Sequence, residues 1–237
     1  GVGSVDTANA AEPLNAIEAA LTRDSILAEF GFDISGRSLD SLTFTSALQV
    51  NGPRTINVSE GTVAFSGTVT SNGGPWTATK AGTGTLRLDG DASGINLTTD
   101  GGLTLDGAGG TPPASVTINA LTAYGVEQVN HGYGEVDTTA STGVLAIGAD
   151  TNAALTMNNA DLSLGAASDA TYSGTLTLGG TAYQLGGGGA TLTVAAGSLT
   201  DQGSATDLQI GRDPLNTYVP GLIAAVYEGL GAGVDFP

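Results

Sequence analysis

The chain has 237 residues, of which 38 are glycine, 40% are hydrophobic and only 12% are charged, so it can bury a core and is not a charge-rich disordered segment. Six Lys and Arg against 23 Asp and Glu leave a formal charge of −17, which repels phosphate backbones and anionic headgroups and argues against nucleic acid as a partner. Without cysteine the chain has neither a disulfide framework nor a thiolate zinc site, and no stretch reaches the roughly 18 apolar residues of a membrane span.

The chain opens Gly1-Val2-Gly3-Ser4, with neither a Met nor the apolar core of a signal peptide, which is expected of a product processed from a longer precursor. Pro13 stands where a first-turn proline would. Leu14, Ile17 and Leu21, then Ile26, Leu27 and Phe30, recur at helical spacing, with Asp24 as a second cap and Gly31 as a stop. Residues 1–38 are therefore expected to form a short helical cap or assembly segment.

From Leu39 the period changes to two. Leu42/Phe44, Ile56/Val58, Val63/Phe65, Leu86/Leu88, Leu103/Leu105, Val116/Ile118, Leu145/Ile147, Leu155/Met157, Leu176/Leu178, Leu192/Val194 and Leu208/Ile210 each flank one small or polar residue. Two side chains then point inward and the one between them outward. Glycine-bearing turns such as Asn72-Gly73-Gly74, Asp89-Gly90 and Gly186 to Gly189 separate these very short strands. Strands of three or four residues with quasi-repeated turns point to a solenoid rather than a sandwich. The steps from Leu86 to Leu103, Leu176 to Leu192 and Leu192 to Leu208 are 17, 16 and 16 residues, others are shorter, and irregular coils of roughly 20 residues are expected over 39–211.

Within that stretch, Leu39-Asp40-Ser41-Leu42-Thr43-Phe44, Arg54-Thr55-Ile56-Asn57-Val58 and Lys80-Ala81-Gly82-Thr83-Gly84-Thr85-Leu86-Arg87-Leu88-Asp89-Gly90 follow one another. This run resembles the autotransporter-associated β-strand repeat, in which an SLTF strand and an I-x-V strand precede a K-x-G-x-G-T-L-x-L-x-G unit. Gly174 to Gly180 and Leu208 to Gly211 resemble degenerate copies. The clear match covers about fifty residues. The resemblance implies an all-β, right-handed parallel β-solenoid from a bacterial surface or secreted protein, many of them adhesins, and it carries over no catalytic residue. No amphipathic strand series for an outer-membrane barrel follows. The non-repeat tail, 212–237, holds the apolar run Tyr218 to Tyr227 and reads as an assembly segment or the start of a further module.

Candidate chemistry is sparse. Asp89, Asp91, Asp100 and Asp106 lie in consecutive Gly-rich corners and could share a calcium ion if those corners stack, although Asp-Gly is also ordinary turn chemistry. His131, the single histidine, lies in a Gly-flanked loop with Tyr133, where Glu135 or Asp137 could orient it. A surface-loop histidine is the plainer reading, since no nucleophile accompanies it. Trp76, His131 and Tyr133 are the candidate ligand-binding residues. Paired carboxylates could serve sugar cleavage, but one Trp and six scattered cations offer little to hold a glycan. Thr-x-Thr steps at Thr43/Thr45, Thr68/Thr70, Thr83/Thr85, Thr175/Thr177 and Thr191/Thr193 invite an ice-binding reading, against which stands their irregular spacing and the general fit of Thr to exposed strands. Gly187 to Gly189 lacks the Lys and helix of a phosphate loop, and Asn57-Val58-Ser59 and Asn96-Leu97-Thr98 fit glycosylation sequons.

The expected function is structural and non-catalytic: an extracellular or cell-surface solenoid subunit that assembles with itself into a filament, fibre or layer, needing no cofactor. Leu14, Ile17, Leu21, Phe30, Tyr218, Leu222, Tyr227 and Phe236 are the expected interface residues, because open solenoid ends present unpaired backbone groups. The first alternative is an adhesin-type module for a glycan or cell surface; the second is a polysaccharide-degrading β-helix.

Overall fold

The computed structural model describes residues 41–203 and 205–211 in full and the backbone of 224–227. Within them the chain winds as a parallel β-solenoid of eight turns. The first coil holds β1 (Ser41–Phe44), β2 (Leu48–Val50) and β3 (Arg54–Asn57). The second holds β4 (Thr62–Phe65), β5 (Val69–Ser71) and β6 (Trp76–Ala81), and the third β7 (Thr85–Leu88) and β8 (Ile95–Asp100). Then come β9 (Leu103–Asp106) and β10 (Ser115–Ile118), and β11 (Ala123–Val126) opens a coil that is otherwise loop. The later coils hold β12 (Val144–Ile147) and β13 (Leu155–Met157), β14 (Ser163–Ala166), β15 (Ala170–Tyr172) and β16 (Leu176–Leu178), then β17 (Ala182–Leu185) and β18 (Thr191–Val194). Finally β19 (Asp207–Ile210) and β20 (Ala224–Tyr227) pair onto β17 and β18.

One nine-stranded sheet, β1-β4-β7-β9-β11-β12-β14-β17-β19, forms the first face of every coil, and β3-β6-β8-β10 form the third face of the early coils. Every strand pairing is parallel. Parallel neighbours cannot be joined by a hairpin, and here each crossover is the rest of a coil. Coil length varies: Thr85 pairs with Leu103, 18 residues on, and Ala182 with Asp207, 25 residues on. The 16-residue steps among Leu176, Leu192 and Leu208 are not coil repeats, because those residues lie in β16, β18 and β19, in three different sheets. Their spacing is the hop from one face to the next.

The core is a set of vertical columns. Phe44, Phe65, Leu88, Asp106, Val126, Ile147 and Ala166 succeed one another along the first face, as do Leu42, Val63, Leu86, Thr104, Tyr124, Leu145 and Leu164. The Phe44 and Phe65 rings stack with centroids 5.2 Å apart. The columns correct one expectation. In β9 the buried pair is Thr104 and Asp106, while Leu103 and Leu105 stand on the outer side, partly exposed. A one-residue change of register exchanges the two faces of a strand, and β9 pairs with β7 one residue away from the alignment of their shared L-x-L-D-G sequences. Leu103 there joins a small second cluster with Ala123, Val144 and Ala146 on the outside of the sheet.

The expected helical residues Leu14, Ile17, Leu21 and Phe30 lie outside the described residues, as do Tyr218, Leu222 and Phe236. Within the tail, β20 is a strand of the solenoid, with Tyr227 opposite Val194.

Candidate functional site

The four acidic residues of consecutive corners do different things. Asp89 takes the Arg87 Nε at 2.7 Å. The Asp91 carboxylate accepts from the Ser93 hydroxyl first and from the Ser93 amide (2.9 Å) second, and the two hold it below its ordinary value. Asp100 is exposed and accepts from Asn119 Nδ2 at 3.2 Å. Asp106 faces the interior. Among the described residues no three His, Asp or Glu side chains are grouped to hold a metal ion.

The densest polar chemistry lies where the fifth coil replaces two strands with the loop 127–143. Asp106 is fully buried, its Oδ2 accepts from Gln128 Nε2 at 2.8 Å and its Oδ1 has no partner. Burial first, then the neighbouring Glu135 charge, pushes its carboxyl up to about 6. Gln128 Nε2 also reaches the Gly110 carbonyl at 3.3 Å, tying loop to corner. The Thr104 and Tyr124 hydroxyls are likewise buried without partners, on adjacent strands. His131 Nε2 lies 2.9 Å from both Glu135 oxygens, and that hydrogen bond raises the imidazole above its ordinary value. The loop backbone is left-handed at Asn130 (φ 55) and Tyr133 (φ 53), an uncommon state for a buried tyrosine.

Of the candidate ligand-binding residues, His131 and Tyr133 meet edge to face at 5.5 Å. Trp76 opens β6, three coils earlier on the third face, packs against the core and donates its indole N–H to the Asn72 carbonyl at 3.0 Å. It is a corner plug and makes no ring contact with the other two.

Two arrangements were not anticipated. Lys80 is fully buried at an inward position between Ile56 and Thr99, where its Nζ donates to the carbonyls of Gly82 (2.6 Å), Gly84 (2.5 Å) and Gly101 (2.6 Å). The Lys of the K-x-G-x-G unit thus clasps its own corner to the next one, and its inward parity in β6 was the available signal. The second is a threonine ladder on the outside of β3-β6-β8-β10, where Thr55, Thr79, Thr98 and Thr117 are successive register partners. Beside it run Thr77, Asn96 and Ser115.

No family model, curated protein or solved structure matches the chain, so the likeness of residues 39–90 to the autotransporter-associated repeat stands on its motifs and on the parallel solenoid.

Proposed function

We propose that the protein is a non-catalytic structural subunit that stacks end to end with copies of itself into an extracellular or cell-surface fibre or layer. The observation that carries this reading is the shared polarity of the two ends. Among the described residues β1, β2 and β3 are each paired on one side only, and so is β19. Every pairing between them is parallel, so the β19 edge of one copy matches the β1 edge of the next, a heterologous contact that does not close. Apolar groups are available at both edges: Leu42, Phe44 and Leu48 are only partly buried, and Ile210 is 50% exposed. A right-handed crossover, the near-universal hand of parallel connections, completes this reading.

Sedimentation velocity and negative-stain imaging across a concentration series test it. Rods longer than one eight-turn solenoid are expected, and Phe44→Lys or Ile210→Lys should shorten them to single units with the circular dichroism unchanged. Dispersed single units at every concentration would sink the reading.

An adhesin-type module is the second reading. It is favoured by Val129, a large apolar side chain 68% exposed on the loop that carries the His131–Glu135 pair. Saturable attachment to a glycan or cell surface, lost on Val129→Asp, would support it over assembly.

A further inference from the structure

The outer face of β3-β6-β8-β10 is a parallel sheet surface with no strand or loop of the described residues paired across it. We propose that this third face is an ice-binding surface, with the threonine ladder as its contact. The proposal does not depend on end-to-end assembly.

The register creates a lattice that the spacing of Thr residues along the chain hides. Thr55, Thr79, Thr98 and Thr117 stand one above another, and Thr77, Asn96 and Ser115 form a second rank two residues away along the same strands. Adjacent ranks repeat at about 4.7–4.9 Å up the coils and about 6.6 Å along a strand. Those two repeats lie close to oxygen spacings on the faces of ordinary ice crystals. Such a match has value only if the groups are held still and free to bond outward. Thr is stiff about its first torsion, and the parallel sheet behind the ladder is pinned by the buried Ala78, Leu97 and Val116. Among the described residues the five threonine hydroxyls of the two ranks make no hydrogen bond to the rest of the protein. The inward Thr99, by contrast, shares its hydroxyl with Thr122 at 2.6 Å.

Charge selects among occupants. The chain carries −17, yet the outward positions of these four strands hold Asp100, at the rim, as their one charged residue. An extended, neutral and periodic face suits a partner that is itself extended, neutral and periodic. A polysaccharide crystal would want aromatic platforms, and no ring projects from these outward positions. A second copy packed flat on the ladder would bury hydroxyls at a cost that its few methyls do not offset.

The test uses the whole 237-residue chain, measuring thermal hysteresis and the inhibition of ice recrystallisation. The wild type should open a freezing gap and facet single crystals, and Thr98→Lys, in the middle of the ladder, should reduce the gap at least tenfold with an unchanged melting curve. Thr171→Lys, on the β15 face, should leave the gap intact, and Thr98→Val should give an intermediate loss. A wild type that neither opens a gap nor slows recrystallisation overturns the proposal. So do equal effects of the two Lys substitutions, binding to crystalline cellulose or chitin with ice crystals left unshaped, and lateral association abolished by Thr98→Lys without any effect on ice.

Discussion

Leu88 and Asp106 are register partners on adjacent strands, both facing the core, so a carboxylate occupies the place in the column where a leucine would continue it. Its Oδ1 has no partner, and its surroundings add to the difficulty: Glu135 and Glu127 are acidic, and His131 and the Gln128 amide offset them only in part. Asp106→Leu should stabilise the fold at pH 7 by about 1–3 kcal/mol, the usual cost of a buried polar group without its bond. Chemical denaturation of the two proteins side by side checks it.

The same carboxyl has a pH signature. Burial raises its folded-state value to about 6 from an ordinary 3.8, so between those values the folded chain holds the proton and the unfolded chain does not. Stability from this group is therefore full below about pH 4 and is lost as the pH rises through 6. Melting temperatures of wild type and Asp106→Asn should converge near pH 4 and separate by pH 7, with the variant higher. A gap that narrows as the pH rises would contradict the buried position.

The β9 inversion leaves no mark on the alternation of the sequence. Leu103-Thr104-Leu105-Asp106 alternates as cleanly as Leu86-Arg87-Leu88, and alternation identifies a strand without deciding which side is in. That choice belongs to the hydrogen-bonded register with β7 and β11. The short strands, the parallel solenoid and the coils of about 20 residues were legible because each depends on local period and turn chemistry. The ladder was not, because its members are 24, 19 and 19 residues apart and become neighbours only when coil lengths are known. The Thr-x-Thr steps singled out in the sequence are other residues, and Thr77-Ala78-Thr79, which does belong to the two ranks, was not among them. Asp89 and Asp91 flank the Gly90 corner as expected and Asp100 closes β8, but what each carboxylate bonds depends on the coil beside it.

His131 offers a direct probe because it is the chain's one histidine. Its hydrogen bond to Glu135 raises the imidazole above 6.5, so the stabilisation is fully present below that value and is lost as the pH rises through the folded one. The ring-proton NMR titration should show a midpoint above 6.5, and Glu135→Gln should bring it down. A midpoint at or below 6.5 in the wild type would mean the pair does not form in solution.

Gly165 and Gly187 meet backbone to backbone, and a methyl at Gly165 would fall on the Gly187 carbonyl. Gly187 cannot retreat, since its own Cβ position is 2.7 Å from a Val144 methyl and its φ is +94°. Gly165→Ala should therefore cost more than about 2 kcal/mol, in the range of overpacked cores. Gly132→Ala, with open space around it, should be close to neutral. Equal melting temperatures for the two variants would rule out the close crossing.

Lys80 combines a cost and a benefit whose balance can be measured. Burial pushes its ammonium down to about 8 from 10.5, while three carbonyls at 2.5–2.6 Å require its protons. Lys80→Met removes the buried charge but leaves the oxygens of Gly82, Gly84 and Gly101 without their donor. Leaving three buried carbonyl oxygens without a donor should cost more than removing the desolvated charge returns, so the variant is expected to be less stable by about 1–3 kcal/mol at pH 7. Between about pH 8 and 10.5 the unfolded chain holds a proton that the folded chain releases. The wild type therefore gains stability relative to the variant as the pH rises through that window. Denaturant unfolding of both proteins at pH 7 and pH 10 decides the matter. A Met variant as stable as wild type at pH 7 would show that water satisfies the corner, and that the Lys of the K-x-G-x-G unit is not what clasps one coil to the next.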